Sequence, residues 1–121
     1  MSATIFALAT ARGKAGVAIV RLSGPHVLDA LATFGVSGVE PHRVSLRKLR
    51  RADEVIDEAV VLYFPKGHSF TGEEVVELQL HGSVAVVGEI LRLLGDVPGL
   101  RPAVAGEFTR RALENGMLDL T

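Results

Sequence analysis

Val75-Val76-Glu77-Leu78-Gln79-Leu80-His81, followed directly by Gly82-Ser83-Val84-Ala85-Val86-Val87-Gly88-Glu89-Ile90-Leu91-Arg92-Leu93-Leu94, carries the change of period that decides the fold. In the first part Val76, Leu78 and Leu80 alternate with Glu77, Gln79 and His81, the two-residue period of a strand with one apolar face. In the second part Val84, Val87, Ile90, Leu91 and Leu94 recur at helical spacing, with Ala85, Glu89 and Arg92 opposite. The stretch therefore predicts a strand over 75–81 and a helix over 82–94, with the helix packed back on the sheet.

Working toward the N-terminus, Val60-Val61-Leu62-Tyr63-Phe64 ends at Pro65 and predicts a buried strand over 57–64. Val44, Leu46 and Lys48 alternate with Ser45, Arg47 and Leu49, a half-exposed strand within 42–49. Gly24-Pro25 is expected to open a helix, with Pro at its first position, an apolar face of Val27, Leu28, Leu31 and Phe34, and a stop at Gly35. Gly16 to Ser23 is an apolar strand broken by Arg21, and Thr4 to Ala9 another, joined by the hairpin Thr10-Ala11-Arg12-Gly13-Lys14-Ala15. Toward the C-terminus, Leu100 to Val104 predicts a last strand, and Gly106 to Asn115 an amphipathic helix closed by Gly116. The order β-β-α-β-β-β-α-β-α predicts an α+β fold, helices packed on a small mixed, largely antiparallel sheet.

The 121 residues suit one domain, with no repeat or linker-like segment. Thirteen Lys and Arg against 14 Asp and Glu leave a net charge of −1, so no global field draws the chain to nucleic acid or anionic membrane. The absence of cysteine excludes a disulfide scaffold, a thiol nucleophile and thiolate zinc sites. No apolar run approaches the roughly 18 residues needed to span a bilayer, and the N-terminus has no signal-peptide pattern, which predicts a cytoplasmic protein without membrane attachment. Thr10-Ala11-Arg12-Gly13-Lys14 lacks the form of a phosphate-binding P-loop. A mean hydropathy of +0.33 with little aromatic content predicts apolar surface hidden against a second copy.

Two features carry chemistry. Arg21 interrupts an apolar strand, where a buried guanidinium needs an anion: the readings are an internal salt bridge, a side chain that snorkels out at the strand end, or a ligand carboxylate or phosphate gripped in bidentate fashion. Glu77, Gln79 and His81 share the polar face of their strand, which is either solvated or the floor of a pocket in which a carboxylate accepts paired donors from a heterocycle. Ser69-Phe70-Thr71-Gly72-Glu73-Glu74, just upstream, has the turn-rich composition of a binding loop. Arg43, Arg47, Lys48, Arg50 and Arg51 lack interleaved aromatics and are followed by acidic residues, which favours a solvated sheet edge over a nucleic-acid footprint. His26, His42, His68 and His81 show no metal-ligand spacing.

Thr4 to Thr10, Gly13-Lys14, Val20-Arg21-Leu22-Ser23-Gly24-Pro25, Phe64-Pro65, Ser69-Phe70-Thr71-Gly72-Glu73, Val76-Glu77-Leu78, His81-Gly82, Gly106-Glu107-Phe108-Thr109-Arg110-Arg111-Ala112, Asn115-Gly116 and Leu118-Asp119-Leu120 occur in this order. Together they resemble the N-terminal domain of the tRNA-modifying GTPases of the MnmE (TrmE) family, from about residue 4 to the end. The resemblance implies a folate-binding and dimerisation domain over 1–118, with 119–121 starting a helical domain. It implies 5-formyl- or 5,10-methylene-tetrahydrofolate as the one-carbon ligand, a homodimer, and a parent protein acting with the flavoprotein MnmG (GidA) at C5 of the wobble uridine of tRNA. GTP hydrolysis with Mg and K would belong to a GTPase domain outside this chain.

Carried over by position, the family's folate contacts fall on Arg21 and Glu77, and a third, lysine in the family, is Met117 here. Two family prolines are replaced in the hairpin at 10–16, and Ala105 stands where the family has Pro. A dimerising scaffold without folate binding is the alternative that these departures leave open. A free-standing one-carbon transferase is a poorer match, because related enzymes use two such halves in one chain.

Overall fold

The computed structural model describes residues 3–10 and 16–119. Thr4–Thr10 (β1) and Ala18–Ser23 (β2) lead into helix α1, Val27–Thr33; Ser45–Arg51 (β3), Glu54–Phe64 (β4) and Val75–Leu80 (β5) follow. Helix α2 spans Val84–Gly95, β6 spans Leu100–Pro102 and helix α3 spans Glu107–Glu114. The element order read from the sequence is the observed one. The strands form one six-stranded sheet in the order β3-β4-β5-β2-β1-β6, antiparallel throughout except for the parallel β1–β6 pair.

Register divides the side chains between two faces. Val20 lies opposite Leu78, and Leu78 opposite Val61; Leu22 lies opposite Val76, and Ala18 opposite Leu80. These residues are buried and form one face of the core with Phe6. Onto it pack α1 through Val27, Ala30 and Leu31, and α2 through Val87, Ile90 and Leu94. Removing a side chain such as Leu78 or Ile90 from water contributes about 2 kcal/mol each, and with this face covered by helices the alternating side chains project from the other. That second face carries Ile19, Arg21 and Ser23 on β2, Val75, Glu77 and Gln79 on β5, and Val60, Leu62 and Phe64 on β4.

Element ends differ from the expected ones for local reasons. Pro25 lies outside α1, because Gly24-Pro25-His26 forms a turn in which the His26 N–H donates to Thr4 Oγ1 at 2.8 Å. Gly24 sits at φ +139°, and a Cβ there would come within 2.6 Å of Thr4 Cα, so the strand β1 can approach only a glycine. Leu28 is 41% exposed and Val84 78% exposed; neither belongs to the apolar stripe in which its spacing placed it. Val84 opens α2 before the helix reaches the sheet, and Ser83 caps it by accepting the Val86 N–H. Residues 42–44 precede β3, which begins at Ser45 and forms the sheet edge, as the cation-rich reading of that strand required. Residues 11–15 of the predicted hairpin and 120–121 of the predicted domain junction lie outside the described residues.

Candidate functional site

Arg21 on β2 lies directly opposite Glu77 on β5. The two side chains meet on the second face of the sheet: Arg21 Nε donates to Glu77 Oε2 at 2.9 Å, and Nη2 lies 2.8 Å from the same oxygen. This pair joins Phe64, Val75 and the loop residues His68, Ser69 and Phe70 in lining a cleft of about 420 Å³. The cleft thus combines one cation–anion pair with two aromatic rings and an imidazole, the few polar groups among apolar walls that a small-molecule site needs.

The loop 65–74 shapes one wall. Ser69 Oγ accepts the Gly72 N–H at 3.0 Å and donates to the Glu73 carbonyl, and Gly67 N–H donates to Gly72 O at 2.9 Å. Of the residues singled out in Ser69–Glu74, Ser69 and Phe70 reach the cleft. Glu73 and Glu74 turn elsewhere: Glu73 pairs with Arg111 of α3, and Glu74 accepts the Tyr63 hydroxyl at 2.7 Å. Burial, reinforced by that bond to the Glu74 carboxylate, pushes the Tyr63 hydroxyl up to about 12.

The expected polar floor is narrower than the alternation suggested. Gln79 shares the face of Glu77 without lining the cleft, and His81 is exposed with Nδ1 2.9 Å from Glu58 O. Met117 also stands outside the lining; it lies against the loop, its Cγ 3.1 Å from where a Cβ on Gly72 would be. Among the described residues no cluster of His, Asp and Glu could hold a metal ion.

Behind the loop lies a polar cluster that sequence reasoning missed. Glu107, with a wholly buried side chain, receives Arg101 Nη1 at 2.8 Å and the Val104 N–H at 3.0 Å on Oε1. On Oε2 it receives Arg101 Nη2 at 2.6 Å and Arg111 Nη2 at 3.1 Å. Hydrogen bonds from Arg101, aided by Val104 and Arg111, overcome the upward push of burial and hold the Glu107 carboxyl at about 2. The available signal was the spacing of Glu107 and Arg111, four apart on one helix.

A wider groove of about 610 Å³ lies on the other side of the sheet, among Phe6, Leu8, Leu91 and Pro102, with Arg92 and Asp96 at its rim. Those two charges are exposed and pair with one another at 3.5 Å, so it offers shape without a convergent polar anchor. The smaller cleft is the better site on chemistry.

Comparison with known proteins agrees with the order of motifs. Residues 4–117 match the family described as GTP-binding protein TrmE N-terminus. The chain is 60% identical over 117 residues to the tRNA modification GTPase MnmE of Cereibacter sphaeroides, covering 97% of this chain and 27% of that protein. It is 52% identical to the protein of the same name from Rhodospirillum rubrum, over 98% of this chain and 29% of the relative. The chain therefore spans little more than a quarter of the length of these relatives.

Proposed function

The chain belongs to the TrmE N-terminal family, and from that membership and the cleft together we propose that it binds a reduced folate carrying a one-carbon unit and pairs with a second copy of itself. The observation that carries the reading is the Arg21–Glu77 pair set in a cleft walled by Phe64 and Phe70. Both contacts from Arg21 fall on Oε2, which leaves Glu77 Oε1 to accept from the donor edge of a pterin and Arg21 Nη1 to donate to a polar or anionic group. The aromatic side chains offer faces for the heterocycle. A bound 5-formyl- or 5,10-methylene-tetrahydrofolate supplies the one-carbon chemistry, and this chain's residues bind, orient and exclude water.

The same sheet face supports self-association. Ile19, Val60 and Leu62 are half-buried, and Leu46, opposite Val60, is 58% exposed. Gln79 lies between Ile19 and Val60 on this face, so the surface is apolar side chains interrupted by one amide, a mixture that suits a twofold contact between identical copies. Sedimentation is expected to give a dimer, and a monomer at high micromolar concentration would contradict this part of the reading.

In the longer protein the module would serve a GTPase that uses GTP with Mg and K and acts with an MnmG-type flavoprotein on the wobble uridine of tRNA in the cytoplasm. Among the described residues no helix is long and apolar enough to cross a membrane. Titrating the chain with 5-formyltetrahydrofolate tests the ligand directly. Saturable binding that both Glu77→Gln and Arg21→Ala abolish is the expected result, and binding indifferent to either substitution rejects the site.

A second reading, a dimerising scaffold that binds no folate, has one observation in its favour. The position that is lysine in the family is Met117, packed on Gly72 outside the cleft, so this chain brings one cation fewer. A dimer that fails to take up folate would favour it.

A further inference from the structure

We infer that Glu73, clamped by Arg111, is a positioning residue for ligand recognition in the Arg21–Glu77 cleft, an inference that rests on the ligand reading above. Glu73 does not line the cleft and acts through what it holds. Three consecutive lining residues, His68, Ser69 and Phe70, belong to a loop without regular secondary structure, so its shape depends on its anchors.

Those anchors converge from two directions. Glu73 Oε1 accepts from Ser23 Oγ at 2.7 Å and from Arg111 Nη1 at 3.0 Å, with Oε2 a further 3.2 Å contact. The Ser23 and Thr71 hydroxyls share a 2.7 Å bond, and Asn115 Nδ2 donates to Thr71 O at 2.8 Å. Ser23 stands two residues beyond Arg21 on the same face of β2. One strand therefore carries both the cation of the cleft and the anchor of its loop, and the distance between them is set by the strand's own rise. On the other side Arg111 is itself held, because Nη2 is bound to the buried Glu107.

Burying polar groups costs stability unless every one is satisfied, so where a fold concentrates them is informative. Apart from Thr4, the buried polar residues described are Ser23, Ser69, Thr71, Glu107 and Arg111, all in this network. A helix needs only an apolar stripe to dock. A web that reaches through Ser69 to the wall of the cleft fixes a shape.

Glu73→Gln, which keeps the side chain's size and removes its charge, separates this role from mere support of α3. Amide hydrogen exchange in 68–73 should accelerate about tenfold or more while β2 and β5 stay protected. The dissociation constant for 5-formyltetrahydrofolate should rise about tenfold, the effect of one charged hydrogen bond. Ser23→Ala removes the anchor from the strand side without losing a charge and should do the same, so it decides the matter if Glu73→Gln does not fold. Unchanged exchange in the loop overturns the inference whatever the ligand, and so does faster exchange with wild-type affinity. A wild-type chain that takes up no folate sinks the ligand reading and this inference with it, an outcome distinct from equal binding by wild type and variant.

Discussion

Two arginine–glutamate constellations lie on or beside the second face of this sheet, and they differ in what remains available. Glu107 and Arg111 are 0% and 8% exposed, and the carboxylate of Glu107 is engaged on both oxygens. Arg21 and Glu77 are 31% and 20% exposed, and their contacts meet on a single oxygen beside an apolar cleft. A saturated buried pair holds elements together; a half-open pair with unused donors and acceptors has room for a third partner, as the proposed ligand reading requires. The two pairs share residue types and differ in how many hydrogen-bonding atoms stay unused, and it is on that difference that the proposed recognition role of Arg21 and Glu77 rests.

The contrast breaks most readily on stability. Glu107→Gln should lower the unfolding free energy by about 3 kcal/mol, since it leaves cations facing a neutral group in a buried site. Glu77→Gln should cost no more than about 1 kcal/mol, because the partly exposed Arg21 recovers water. Urea midpoints measure both, and equal losses would erase the distinction.

Acid titration sharpens it further. The folded-state value of Glu107, about 2, lies below the ordinary 4.5, so its contribution is complete above about pH 4.5 and disappears as the pH falls toward 2. That contribution is about 3 kcal/mol, and Glu107→Gln should flatten the fall of stability across this window. An unchanged slope would show that the carboxyl is not held as described.

The smallest expected effect on stability is the most informative about purpose. Arg21→Leu with Glu77→Leu replaces the pair by apolar side chains and should leave stability within about 1 kcal/mol of wild type, or raise it, while folate uptake is lost. A loss of several kcal/mol would assign the pair to the fold instead of the ligand.

Much of the fold was legible because it is local. The switch from the alternation of Val76, Leu78 and Leu80 to the spacing of Val87, Ile90 and Leu94 names β5 and α2 without any distant information. The ends were less legible, since the turn at Pro25 is fixed by the hydrogen bond that His26 N–H donates to the distant Thr4, and the exposure of Val84 by where α2 meets the sheet, neither of which local spacing encodes. Arg21 and Glu77 were each conspicuous in sequence, yet their facing register joins residues 56 apart and belongs to the sheet alone. Glu107 hid more completely, because a charged residue on an amphipathic helix reads as solvated until Arg101 and Arg111 are seen to enclose it.

The central claim is that the narrower cleft, not the wider groove, receives the ligand. Backbone amide shifts recorded while 5-formyltetrahydrofolate is added test it most directly. Changes that saturate and cluster at Arg21, at Phe64 to Phe70 and at Val75 to Glu77 are the predicted result. Changes centred on Phe6, Leu8 and Leu91, or none at any concentration, would contradict it.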